Sequence, residues 1–158
     1  MNYRMATYED IDLLVEQRLK FIEVAENDDM YDVIKHNCYL YFQKAFADNA
    51  CDVVLAEDND LCVGTGIVFY YDSVPSVLNV TGKNAYITSM YVEPGYRKKG
   101  IGRTIVEKLI DVAAARGYKI IMLNASDMGK SMYQKIGFVE INNGMILDRR
   151  TGNAGCKG

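Results

Sequence analysis

Three observations predict an α/β (α+β) fold with a mixed central sheet and helices on both of its faces. Helical and strand-like apolar periods alternate along the chain. A β-prone run over 84–92 leads to Pro94, a basic loop follows, and Gly100 and Gly102 open an amphipathic helix. At 158 residues, 49% apolar and 25% charged, the chain is long enough for one well-buried core in one domain.

The elements follow in order. Tyr3–Met5 reads as a short strand. Thr7 and Asp10 resemble a capping box, and Ile11, Leu14, Val15, Arg18, Leu19 and Ile22 share helical spacing, so a first helix is expected over about 8–24. Arg18 interrupts its apolar face, and either snorkels to the surface or reaches a cleft. A polar break over 26–29 precedes a second helix over roughly 30–48, with Ile34, Cys38, Tyr41, Phe42 and Ala45 on one face. The period then shortens. Asp52–Glu57 and Leu61–Tyr71 read as strands joined at Asp58-Asn59-Asp60, and Gly64 and Gly66 predict a bulge or close approach by another element.

Residues 72–83 form a loop long enough for a lid or substrate wall. Asn84–Val92 is the strand feeding the glycine pair. The helix over 101–116 buries Ile101, Ile105, Leu109, Val112 and Ala113 and stops at Gly117. Lys119–Leu123 is expected as a central strand. Ser126 or Asp127 caps a last short helix ending at Gly137, and Phe138–Ile141 with Met145–Leu147 reads as a closing hairpin around Asn142-Asn143-Gly144. Residues 1–148 make the single domain, and 149–158 a polar, Gly-rich, disordered tail.

Composition excludes several functions. A net charge of −3 gives no global pull toward nucleic acid. Cys38, Cys51, Cys62 and Cys156 form no Cys-x-x-Cys pair and His36 is the only histidine, so no metal is expected, only free thiols in a reducing cytoplasm. There is no run of 18 apolar residues, and Glu9, Asp10 and Asp12 stand where a signal peptide would be apolar. The reading is cytoplasmic, with no membrane partner.

Pro94 to Gly102 carries the chemistry. Bare backbone N–H groups at a helix start favour phosphate, and Arg97, Lys98 and Lys99 add positive charge at the same spot. The site asks for a pyrophosphate. The spacing of a nucleotide triphosphatase loop is absent, and a dinucleotide fingerprint would need a third glycine and an acidic ribose ligand.

Arg97-Lys98-Lys99-Gly100-Ile101-Gly102, with Tyr133-Gln134-Lys135-Ile136-Gly137-Phe138 and the opening Arg4-Met5-Ala6-Thr7-Tyr8-Glu9-Asp10, resembles the GCN5-related N-acetyltransferase (GNAT) family over essentially the whole chain. The resemblance implies a mostly antiparallel sheet splayed at an acetyl-CoA site, with acetyl-CoA as cosubstrate. It implies that amides from Lys98 through Gly100, Ile101, Gly102 and Arg103 cradle the pyrophosphate, beside Arg97 and Lys99. Met90, Tyr91 and Val92 would present backbone groups to the pantetheine arm as to an added strand. Asn124 and Ser126 fall near positions that contact the arm or cap the last helix. A homodimer fits the family's habits.

Tyr133 is then the catalytic residue, beside the coenzyme sulfur. A leaving thiol of pKa about 8.5, by analogy with cysteine, can take a proton from a phenol of about 10. The alternative for Tyr133 is a core tyrosine. No general base is singled out. Tyr86 stands where many relatives carry glutamate, leaving Glu23, Glu26, Asp72 or water through Thr88 and Ser89. Direct transfer is expected, since no cysteine lies in the expected site segments. The acceptor reads as the primary amine of a small molecule, with a peptide or protein amine and a non-catalytic acyl-CoA sensor as alternatives.

Overall fold

Strand β2 (Cys51–Asp58) feeds two cores at once. Val54 and Ala56 pack into one, and Cys51, Val53 and Leu55 into the other, because successive strand residues face opposite sides. The structure is a computed structural model describing residues 1–141. Around β2 lie β1 (Asn2–Met5), β3 (Leu61–Asp72), β4 (Lys83–Val92) and β5 (Ile120–Leu123), in the spatial order β1-β2-β3-β4-β5. The first three pairings are antiparallel and β4–β5 is parallel, so the sheet is mixed and open.

Helices α3 (Ile101–Ala115) and α4 (Asp127–Ile136) cover one face, with Ile105, Val106, Leu109 and Ala113 fully buried. Helices α1 (Ile11–Phe21) and α2 (Tyr31–Ala47) cover the other through Leu14, Val15, Leu19, Phe42 and Ala45. Burying each large aliphatic side chain contributes about 1.5–3 kcal/mol, so both faces hold the sheet strongly.

The glycines in β3 explain how α3 sits so close. A Cβ on Gly66 would lie 2.5 Å from both Ile105 Cγ2 and Met90 Sδ, and one on Gly64 3.2 Å from Ile105 Cδ1. Opposite Gly66 the β3–β4 register slips, between Thr65 and Ile67. Close approach and bulge, alternatives on the sequence, occur together.

Several expectations are corrected. The first helix opens with a 3₁₀ turn over Tyr8–Asp10 and ends at Phe21 rather than 24, and Glu23 then turns left-handed at φ 55°. β5, expected in the centre, is the edge strand among the described residues, pairing with β4. Residues 138–141 form no strand among the described residues, and the hairpin's second arm and the tail lie outside them. The loop between β3 and β4 is tied at its neck by buried Asn84, whose amide donates to Gly82 O at 2.7 Å and Ser73 Oγ at 2.9 Å.

Candidate active site

β4 and β5 pair only from Asn84–Ile120 to Ile87–Leu123. β5 stops there while β4 runs on to Val92, pairing among the described residues with β3 alone. The β4 backbone around Met90, Tyr91 and Val92 therefore has an open edge on its β5 side. The bulge sits at the start of this stretch, where buried Ser89 takes φ 52°. A residue inserted in one strand bends it, and this bulge lies two residues past the last β4–β5 pair.

At the end of β4 the chain turns through Pro94–Tyr96 and the basic loop into α3. Lys98 and Gly100 both have positive φ, 60° and 83°. Gly100 is the N-cap and offers no side-chain cap, so the donors of the first turn lack the partner a serine or aspartate would supply. Thr104 N–H makes the first helical bond, 3.1 Å to Gly100 O. Arg97 Nε donates to Val92 O at 2.9 Å, Lys99 Nζ lies 4.9 Å from the Tyr96 ring centre, and Arg103 pairs with Glu107 at 2.7 Å. A Cβ on Gly102 would meet only Met132 Sδ at 3.7 Å and Val92 Cγ2 at 3.8 Å, ordinary contacts. The protein's own packing does not require glycine there.

α4 carries Tyr133 into the core on the α3 side of the sheet. Ser126, not Asp127, caps the helix, its Oγ accepting from Gly129 N–H at 3.3 Å, and Gly137 closes it at φ 119°. Tyr133 is 8% exposed, its ring edge-on to Phe138 at 5.8 Å. A Cβ on Gly129 would fall 2.9 Å from Tyr133 Cε2, so that glycine makes room for the ring. The phenol has no hydrogen-bond partner among the described residues, and burial pushes its pKa above the ordinary tyrosine value. Asn124 is exposed just past β5.

On the opposite face of β4 a cavity of about 420 Å³ opens between α1, α2 and the sheet. Its walls include Ile34, Tyr41, Phe42, Ile67 and Phe69, with Thr88 and Ser89 on the β4 side and Arg18 the one charged lining residue among those described. Burial raises the Tyr86 phenol as well, with Tyr71 adding to the rise and the Asn124 backbone amide partly offsetting it.

The acetyltransferase (GNAT) family profile matches residues 13–138. This chain belongs to that family. The crystal structure of a predicted acetyltransferase with acetyl-CoA from Clostridium acetobutylicum is 32% identical, covering 93% of this chain and 95% of that one at a TM-score of 0.84. Mouse thialysine N-epsilon-acetyltransferase is 31% identical over 80 residues, 49% of this chain and 44% of that protein. Glucosamine 6-phosphate N-acetyltransferase of Trypanosoma brucei brucei is 29% identical over 63 residues, 40% of this chain and 43% of that protein. The matches thus span less than half the length of these curated relatives.

Within this GNAT chain the open edge of Met90–Val92 is followed, after the Pro94–Tyr96 turn and the basic loop, by the start of α3 at Gly100–Arg103. Tyr133 comes from a third element. Among the base candidates, Thr88 and Ser89 line the cavity, while Glu23, Glu26 and Asp72 do not; neither does exposed His36, nor any residue of the 72–83 loop expected as a wall. Sequence reading missed Asn37 and Cys38 as cavity residues. The signal was present. The apolar stripe of α2 is buried only at Phe42 and Ala45, and Ile34, Cys38 and Tyr41 along the rest of it line the cavity. Cys38 thus lies nearer the chemistry than expected, but burial raises its pKa and disfavours the nucleophilic thiolate.

Proposed function

We propose that this chain is an acetyl-CoA-dependent N-acetyltransferase that acetylates the primary amine of a small molecule by direct attack in a ternary complex. One observation carries the reading: the free β4 edge past Ile87 ends at an α3 start that has bare donors and no side chain at Gly102. Amides of Lys98–Arg103, with Arg97 and Lys99 beside them, would hold the pyrophosphate, and the backbone of Met90–Val92 would hold the pantetheine arm. Asn124 and Ser126 flank the arm's far side. The coenzyme supplies the acyl group as a thioester.

The amine nitrogen attacks the acyl carbon, the new N–C bond forms, and the C–S bond breaks with its electron pair on sulfur. Tyr133 delivers the proton that sulfur takes up. The proton lost by the amine leaves to solvent past Thr88 and Ser89, since no carboxylate among the described residues lines the cavity. Tyr133 is then reprotonated from water. The curated relatives' names, a thialysine and a sugar-phosphate amine acetyltransferase, support a small-molecule acceptor over a peptide.

The test is thiol release from acetyl-CoA by the purified chain across small amines and peptides. Turnover with small amines above that with peptides is expected. Binding of acetyl-CoA without turnover of any amine would leave the sensor reading, which the departure at Tyr86 favours. Loss of turnover in Cys38→Ala, with the fold intact, would replace direct transfer by an acyl-enzyme.

A further inference from the structure

Arg18 projects into the cavity from α1 and has no ion pair among the described residues. Its Nη1 donates to Ser89 Oγ at 2.8 Å, and its guanidinium lies 5.2 Å from the Phe21 ring centre. That bond uses one of the five N–H donors an arginine offers. A permanent charge on a largely apolar wall is costly unless something pairs with it. Among the described residues no aspartate or glutamate lines this cavity.

Its position adds a second constraint. Ser89 is the left-handed residue of the β4 bulge, just past the last β4–β5 pair. Under the transferase reading, on which this inference rests, the reacting carbon lies beside that bulge. An anion on Arg18 is therefore close to the attacking nitrogen rather than at the far end of the acceptor. Ile34, Tyr41, Phe42, Ile67 and Phe69 leave an apolar space beyond it. The volume of about 420 Å³ lies in the range of ~300–1,000 Å³ usual for small-ligand sites.

We propose that Arg18 binds the carboxylate of the acceptor, which is an amino acid or close analogue whose amine and carboxylate are near neighbours and whose side chain is apolar or aromatic. A planar carboxylate matches the guanidinium fork, and its single charge is balanced by the single arginine. A phosphate dianion would leave a charge unpaired against apolar walls. A polyamine meets a cation and no counter-charge. The pairing also answers the missing base. A free carboxylate beside an ammonium holds its proton on, and neutralising that carboxylate with Arg18 makes the nitrogen easier to deprotonate.

Thiol release is measured with leucine and phenylalanine, their amides, 3-methylbutylamine, 2-phenylethylamine, spermidine and glucosamine 6-phosphate. The expected result is a kcat/KM about 10- to 100-fold higher for each amino acid than for its amide or decarboxylated form, the range of a hydrogen-bonded charge. In Arg18→Met that ratio falls to within about threefold, mainly through KM, and Arg18→Lys restores part of it. Thermal shift by acetyl-CoA verifies that each variant is folded. Amides or decarboxylated amines turned over as well as the amino acids overturn the proposal, as does glucosamine 6-phosphate exceeding them. So does an Arg18→Met variant that lowers all acceptors equally.

Calorimetry of phenylalanine with the coenzyme A-bound protein separates this proposal from the transferase reading. Uptake that requires both the ligand's carboxylate and Arg18, without turnover of any amine, upholds the carboxylate site and removes the enzyme. Neither uptake nor turnover overturns both.

Discussion

Tyr133 has a buried ring and a hydroxyl with no protein partner among the described residues, which leaves its O–H accessible and free to donate to a ligand. We expect Tyr133→Phe to keep the edge contact with Phe138 and acetyl-CoA affinity within about threefold, while turnover falls about 10²–10⁴-fold, measured by steady-state kinetics beside calorimetry. The pH dependence has a definite sign. Burial raises the pKa, so the phenol stays protonated to higher pH than a free tyrosine. Loss of the acid should appear only above about pH 10, and a limb near 8.5 that disappears in the phenylalanine variant would contradict the assignment. The residue's identity was legible from Tyr133-Gln134-Lys135-Ile136-Gly137-Phe138. Its seating was not, because only three dimensions show Gly129 lying under the ring. Arg18 was legible only as an interruption of an apolar face, since its partner Ser89 is 71 residues away.

Among the elements, α3 and β3 are bound by the absence of side chains. Gly66→Ala would drive a methyl into Ile105 and Met90, and overpacking of this kind costs about 1–3 kcal/mol, to be read from the urea midpoint. Sequence reading placed both glycines inside a strand and inferred close approach, though nothing local named α3 as the neighbour. β1 and the start of α1 are fastened differently, by Arg4 donating to Asp10 at 2.8 Å and to Glu57 at 2.9 Å. The Arg4 hydrogen bonds lower the Asp10 pKa from 3.8 to about 2, against an opposing desolvation effect. A depressed carboxylate adds stability above its unfolded pKa and loses it as pH falls through the folded one. The contribution is therefore lost between pH 3.8 and about 2. Arg4 is 38% exposed, so solvent limits the effect to about 1 kcal/mol, and Arg4→Met should flatten acid unfolding over that window. The end of α1 was misplaced because the apolar spacing continues to Ile22 although Glu23 turns left-handed, a break the residue types do not announce.

At the scale of the whole molecule, the order of strands and helices was readable because the apolar period changes from helical to strand-like after α2 and back at α3, while polar or glycine breaks separate like elements. The cavity was not, since it depends on how far α2 stands off the sheet. Ligand linkage gives the global prediction. Coenzyme at about 1,000 times its Kd should raise unfolding free energy by about 4 kcal/mol, and no shift in Tm on addition would remove the binding site altogether. Glycine-to-helix contact along β3 has a kinetic corollary. A helix clamped this tightly cannot drift, so the first-turn amides are oriented before any nucleotide arrives and capture needs no folding step. Association should then be governed by diffusional encounter with Arg97, Lys98 and Lys99, rapid in dilute buffer and slower as added salt screens those charges.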